Sequence, residues 1–503
     1  MKNKLFEVLI CMLLIVTVVP VVCGTVNWNE EQKILPSVAR GMSALGCYVS
    51  LSGDTALIGA YYDNEKKGSA YVFTRTGTAW TQQGKLLASD GTQGDQFGYS
   101  VSVDGDTALI GARGDDDNSG SVYVFTRTGT TWTQQAKLIT ASDGGANFGS
   151  SVSLDGNTAL ISASFENKNQ GSAYVFIRTG TTWTQEAKLR ASDGASMDFF
   201  GWSVSLSRDT ALIGAGYGVY VFTRTGANWT QQAKLLTSEI DGYSNLYISL
   251  DDNTALIGTS EGLAYVLTRT GTTWALQQQL LASDSSLRFG CSVSLSGDTA
   301  LIGALAANGN EDGSGASYVF IRSGVTWAQQ TKLIASDGAA GDYFGSSVSL
   351  DGNTALIAAS FWLKANNSVY VFTKSGEDIP PVANFSWTPV TPTINQQITF
   401  DASVSNDSDG FITLYDWDWN ADGTYEDSHA IPTVTHSWTQ AGTYPVTVRA
   451  TDDDGASNTK TLTIPISSGS GNGDTDNNGT PGFQAILLIS AICVALIILR
   501  RKK

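Results

Sequence analysis

Between residues 27 and 376 short runs of alternating apolar and small polar positions recur with a period near 50 residues, which predicts a propeller or another repeat array. Residues 97–138 show the unit. In its first strand Val101 and Val103 alternate with Ser100 and Ser102, placing apolar groups on one face and small polar groups on the other. Asp104-Gly105 supplies the positive φ of a tight hairpin. The second strand (Ala108 to Ile110) and the third (Val122 to Phe125) are apolar on both faces, so they are expected to lie buried between two layers. The fourth alternates Trp132, Gln134, Ala136 and Leu138 with Thr133, Gln135 and Lys137, as an outer strand touching solvent does.

Thr-Ala-Leu-Ile begins at Thr55, Thr107, Thr158, Thr210, Thr254, Thr299 and Thr354, which makes seven units. The fourth-strand Trp recurs at Trp80, Trp132, Trp183, Trp229, Trp274 and Trp327, but no such strand follows Tyr370 to Thr373 in the last unit. The segment Trp28 to Leu35 aligns instead with Trp80 to Leu87. The expected fold is therefore all-β: a seven-bladed β-propeller over residues 25–377, closed by its N-terminal strand.

The openings Phe97-Gly98, Phe148-Gly149, Phe200-Gly201, Phe289-Gly290 and Phe344-Gly345, with the later Gly-Ser-x-Tyr-Val-Phe, resemble FG-GAP repeats of the integrin α-propeller type. Units one (Leu45-Gly46) and five (Asn245-Leu246) depart from the pattern. The resemblance implies calcium loops between second and third strands; among Tyr61 to Lys67, Arg113 to Ser119, Ser164 to Gln170 and Leu305 to Gly315, only Asp115-Asp116-Asp117-Asn118 approaches the required ligand pattern. Arg113-Gly114-Asp115 spells the tripeptide that integrins bind, but three residues also match by chance, and a solvated loop is the plainer reading.

After Gly376 the texture changes, and a second domain is expected over 378–467. Phe400-Asp401-Ala402-Ser403, Tyr415-Asp416-Trp417-Asp418-Trp419 and Gly442-Thr443-Tyr444-Pro445-Val446 resemble a PKD domain, an immunoglobulin-like β-sandwich. Trp417 and Trp419 share one face and read as core. Asp418, Asn420, Asp422 and Asp427 around Gly423 place oxygen ligands as the first half of a calcium loop does; an Asx-rich turn is the alternative. His429 and His436 read as ordinary strand or surface residues.

The ends carry addresses. Residues 1–24 have the charged, apolar and small-residue layout of a signal peptide, and 468–480 form a linker too polar to fold. Residues 481–503 join Pro481-Gly482-Phe483, an apolar stretch from Ala485 to Leu499, and Arg500 to Lys503. That tail resembles the archaeal PGF-CTERM sorting signal, which implies its removal and replacement by a lipid; an uncleaved anchor is the alternative. Either way the chain is expected to be exported to the extracellular face of the cell membrane or envelope. Asn366, Asn384, Asn406 and Asn478 are glycosylation candidates there, with Asn228, beside a fourth-strand Trp, the least accessible sequon. Cys47 and Cys291 fall at one position of repeats one and six, too far round a ring to bond.

A net charge of -17 argues against nucleic acid as a partner. The pattern points to a surface-anchored interaction or adhesion protein, the propeller a recognition head on a PKD stalk, with a cell-surface protein or glycan as partner. The long connectors share one face, where Tyr61, Tyr62, Phe165, Tyr217, Phe361 and Trp362 are the candidate ligand-binding residues because their aromatics do not recur. A structural envelope component is one alternative. A glycan hydrolase or lyase is another, but it needs a converging acid and base. The propeller has no His, and the non-recurring acids just before Phe-Gly on the loop-rich face are Asp95, Asp198 and Asp342. No catalytic residue is assigned and no cofactor is required, calcium in the second domain aside.

Overall fold

The computed structural model describes residues 27–35, 44–140, 146–235, 245–284, 286–360, 367–375, 380–407, 411–452 and 455–468. The expected signal peptide and sorting tail, with Pro481, Gly482 and Phe483, and the expected linker beyond 468 lie outside the described residues.

Among these residues the repeats form four-stranded antiparallel sheets consistent with propeller blades. The first three are Leu45–Ser52, Thr55–Ala60, Ser69–Thr76, Ala79–Leu86; Phe97–Asp104, Thr107–Ala112, Ser121–Thr128, Thr131–Leu138; and Val152–Asp155, Thr158–Ala163, Ser172–Thr179, Thr182–Leu189. The next three are Val204–Ser207, Thr210–Ala215, Gly218–Thr225, Asn228–Leu235; Leu246–Asp251, Thr254–Thr259, Ala264–Thr270, Thr273–Leu280; and Phe289–Ser296, Thr299–Ala304, Ala316–Ser323, Thr326–Leu333. The seventh joins Phe344–Asp351, Thr354–Ala359 and Ser368–Ser375 to the N-terminal strand Asn27–Ile34, which runs antiparallel to Ser368–Ser375 with Gln32 opposite Val371. Ile34 then shares an apolar cluster with Leu45 and Ile58 of the first sheet and Val369 of the seventh.

The recurring sequence has a physical cause at each position. Thr107–Ala112 is buried throughout, as its two-sided apolarity requires. The first-strand serines bond the next sheet: Ser100 donates to the Gly149 carbonyl at 2.7 Å, and several accept a backbone N–H, as in Val103 to Ser50, Leu154 to Ser102 and Leu295 to Ser249 at 3.0 Å. The same bond runs from Leu51 of the first sheet to Ser349 of the seventh, also at 3.0 Å. The Phe of each Phe-Gly wedges between sheets; Phe97 is fully buried, 5.4 Å from the Tyr123 ring and 6.1 Å from Phe125. Its Gly is needed because Gly98 has φ +88° and a Cβ there would lie 2.2 Å from the Ser69 carbonyl oxygen. On the tight-turn face Arg127 lies over Trp132 and donates to Thr55 of the preceding sheet at 2.9 Å, and Trp132 donates to Gln83 of that sheet at 2.7 Å.

A carboxylate, a Tyr hydroxyl and a Lys ammonium meet near the other end of the third and fourth strands. Asp284 accepts from Lys332 Nζ at 2.6 Å and from Tyr318 Oη at 2.8 Å. Partial burial pushes its carboxyl up, but the bonds from Lys332, Ser286 and Tyr318 outweigh this and lower its pKa from 3.8 to about 2. Its stabilising contribution is thus complete above 3.8 and is lost as pH falls toward about 2. The thermal midpoint is expected to drop over that window, and Asp284→Asn to flatten the slope. An unchanged slope in circular-dichroism melts would refute the assignment.

The second domain stacks the sheet of Ser386–Thr388, Ile398–Asp401 and Thr433–His436 on that of Asp427–His429, Ile412–Asp418, Gly442–Asp452 and Ser457–Ile466. Trp417 and Trp419 are buried in its core and stack 5.5 Å apart, with His436 4.3 Å from Trp419 on Thr433–His436. Phe411 of this domain lies against Gly297, in the tight turn between the first two strands of the sixth sheet.

Candidate ligand-binding site

The connectors entering first strands and those joining second to third strands emerge on one face. Where the first strands of five successive sheets converge there, a pit of about 130 Å³ is lined by Tyr48, Tyr99, Ser150, Ser151, Trp202, Ser203 and Tyr247, with Arg113, Ser164 and Phe165 contributed after second strands. The Arg113 guanidinium lies 3.6 Å from the Tyr99 ring centroid, and its Nε donates to Gln96 Oε1 at 2.8 Å. Tyr99 also packs 5.2 Å from Tyr48 and 5.2 Å from Tyr61, whose ring is 4.7 Å from Tyr62. Burial raises the Tyr48, Tyr61 and Tyr247 hydroxyls, Tyr247 to about 12, so all three stay protonated donors near neutrality.

Of the sequence candidates, the structure brings Tyr61, Tyr62 and Phe165 to this pit and its rim. Tyr217 is half exposed on a turn after the second strand of the fourth sheet and is not a lining residue. Phe361, Trp362 and Asn366 lie outside the described residues, as does Asn478. Tyr48, Tyr99, Trp202, Tyr247 and Arg113 were missed because strand aromatics read as packing. A signal existed: Tyr48 and Tyr247 stand where other first strands carry Ser, as at Ser151 and Ser203, and Tyr99 and Trp202 where others carry Ser150 or Ser346.

The loops after second strands are ordered turns. In the first three sheets each makes a left-handed turn of three non-Gly residues, such as Asp116, Asp117 and Asn118 at φ +49°, +54° and +66°. Such a turn costs about 1–2 kcal/mol per residue. What holds it is the next sheet: Asn147 and Phe148 donate to the Asn118 and Ser119 carbonyls, each at 2.9 Å. Asp115 is buried, bonds Ser121 and lies 2.7 Å from the Lys137 ammonium. A lysine holds the loop carboxylate in the first sheet too, Lys85 to Asp63 at 2.7 Å. The Arg113-Gly114-Asp115 carboxylate is therefore turned inward rather than displayed, while Asp116, Asp117 and Asn118 of the same loop are exposed.

Asp95 and Asp342 accept backbone N–H bonds within their own turns, from Thr92 at 2.6 Å and Ala339 at 2.8 Å, and Asp198 accepts one from Ala195. Burial pushes the Cys47 and Cys291 thiols up to about 11, and both are free. Asn384 and Asn406 are exposed, and so is Asn228, contrary to its expected inaccessibility.

In the second domain Asp418, Asp422 and Glu426 bring carboxylate oxygens within 4.8 Å of one another. Asp418 accepts N–H bonds from Asn420, Asp422 and Gly423 at 3.2, 3.3 and 2.8 Å, winding the loop around its carboxylate. Glu426 rather than Asp427 joins this group; Glu426 accepts the Trp419 backbone N–H at 3.0 Å and Asp427 the Trp419 indole N–H at 2.8 Å. An all-oxygen donor set of this kind suits a hard cation such as calcium.

A family model described as FG-GAP repeat matches residues 28–73, 80–125, 132–176, 183–226, 274–320 and 327–372, together more than half of the chain. Its frame starts at the fourth-strand Trp, and the irregular fifth unit is left unmatched. A model described as PKD domain matches 379–466. Among solved structures, the chain is similar to a carbohydrate-binding module of the beta-sandwich superfamily at 38% identity over 19% of this chain and 37% of that one, with a TM-score of 0.18. It is also similar to the PKD1 domain of Vibrio anguillarum Epp at 33% identity, over 18% of this chain and all of that one, with a TM-score of 0.16. Saccharomyces cerevisiae Sqt1 matches at 12% identity over 88% of this chain and all of that one, with a TM-score of 0.41. The chain thus spans about a third of the length of the first of these and the whole of the other two.

Proposed function

Since the chain belongs to the FG-GAP repeat family and carries a PKD domain, both typical of extracellular proteins, we propose that it is a cell-surface adhesion protein whose repeat region closes into a seven-bladed recognition head on a PKD stalk. The observation that carries this reading is the aromatic pit with its unshared Arg113 on the loop-bearing face. Closure is supported by the pairing of Asn27–Ile34 with Ser368–Ser375 and by the Leu51 to Ser349 bond between first and seventh sheets. The stalk reading is supported by Phe411, which meets the head on the opposite, tight-turn face and leaves the pit open to a partner. Among the described residues no helix is long and apolar enough to cross a membrane; anchorage is assigned to the PGF-CTERM-like tail or the lipid replacing it, and export to residues 1–24.

The partner is a cell-surface glycan or protein. Binding rather than turnover is favoured because Asp95, Asp198 and Asp342 are each engaged by backbone N–H groups of their own turns instead of converging on the pit. Calcium, if used, is held by Asp418, Asp422 and Glu426 and stiffens the stalk. The test is binding of the purified full-length chain to arrayed glycans and surface proteins, with and without calcium. The double variant Tyr61→Ala, Tyr62→Ala is expected to weaken capture about tenfold or more. Self-assembly without capture would favour an envelope lattice, and loss of the arrayed glycan would favour an enzyme.

A further inference from the structure

We infer that the pit binds the carboxylate-bearing ring of an acidic sugar, with Arg113 as the anion's partner; the inference rests on the loop-bearing face being the binding face. Arg113 is unlike the arginines of the tight-turn face. Arg75, Arg127 and Arg322 each pair with an Asp, and Arg178 and Arg269 bond an Asn. Among the described residues no carboxylate pairs with Arg113, and of its five N–H groups only Nε has a partner, Gln96. Stacked on Tyr99 and held by Gln96, its remaining fork is fixed in place, so little freedom is lost when it takes a carboxylate through two parallel bonds.

The rest of the pit suits a sugar ring. Tyr99, Trp202 and Tyr247 offer apolar faces for ring C–H groups, and a volume of about 130 Å³ is close to the ~150 Å³ cavity that accepts a benzene-sized ring. Ser151 and Ser203 accept backbone N–H bonds from Val204 and Ile248, which leaves each hydroxyl its own proton to donate to a ring oxygen. A neutral sugar would leave the partly buried guanidinium without a counter-charge. A peptide added as a strand needs a groove several residues long, at roughly 3.3 Å per residue, whereas this pit holds only about 130 Å³.

Calorimetric titration of the purified full-length chain with trigalacturonate, with its carboxyl-reduced counterpart and with benzoate tests this. Trigalacturonate is expected to bind about tenfold to a hundredfold tighter than the reduced form, and benzoate far more weakly than trigalacturonate. Arg113→Gln should erase that preference and Arg113→Lys retain part of it, with the wild-type melting temperature kept in at least the Lys variant. Equal affinity for acidic and reduced sugars, a preference that survives Arg113→Gln, or benzoate binding as tightly as the sugar overturns the proposal. If neither sugar binds while Tyr61 and Tyr62 still govern capture of some other partner, the pit proposal fails and the binding-face reading stands. No capture of any kind fails both.

Discussion

Removal of residues 27–35 is expected to unfold the repeat region rather than to shorten it. Trp28 and Ile34 are 8% and 1% exposed, and each contributes about 1.5–3 kcal/mol by burial. They also join different neighbours: Trp28 belongs to the apolar cluster of the sixth and seventh sheets, Ile34 to that of the seventh and first. Loss of this strand therefore opens two inter-sheet contacts and leaves Ser368–Ser375 with an unpaired edge. The loss is comparable with the whole stability of a domain. A chain starting at residue 44 should show no cooperative melt, and a peptide of residues 27–35 added in trans should restore it. Trp28→Ala alone should cost about 3–5 kcal/mol. A truncated chain that melts cooperatively at the wild-type temperature would show that the displaced strand is an accessory.

The second large effect is expected at a glycine with ordinary φ. Gly59 is the penultimate residue of the second strand of the first sheet, and a Cβ there would lie 2.1 Å from the Gly98 carbonyl oxygen of the next sheet. Gly98 cannot retreat, because its own Cβ position is 2.2 Å from the Ser69 carbonyl oxygen. Two backbones are thus in contact through two missing side chains. Gly59→Ala should destabilise by about 3 kcal/mol or more through overpacking. Gly105, at φ +53° with nothing within 4 Å of its Cβ position, is the control; Gly105→Asn should stay within about 0.5 kcal/mol because Asn accepts that conformation. Urea titration of both variants decides it, and a Gly59→Ala chain within 1 kcal/mol of wild type would mean that the sheets part more easily than their spacing implies.

Much of this was readable from residues alone because the repeat makes the chain report on itself. A Trp recurring in six units exposes the unit that lacks it, and Asp-Gly turns between alternating strands locate the sheets. The site was harder. Tyr61, Tyr62 and Phe165 stood out as loop aromatics, but Tyr99 and Trp202 sit in or beside strands, where an aromatic ordinarily means packing. The spacing singles out Asp427, and only the folded loop shows that the neighbouring Glu426 is the carboxylate near Asp418 and Asp422.

The sequence by itself determined the strand order, the hairpin turns, the change of domain after Gly376 and the all-β character, since periodicity and turn chemistry act over a few residues. Only the tertiary structure decided what each polar group meets. The first-strand serines bond the backbone of the next sheet, the Asp115 carboxylate turns inward to Lys137, and five successive sheets bring aromatic rings at their first strands together with Arg113 and Phe165, from turns after second strands, around a single pit. Alternation along a strand specifies which side a residue faces, and the partner on that side lies about fifty residues away or at the opposite end of the repeats, so it exists only once the sheets have packed.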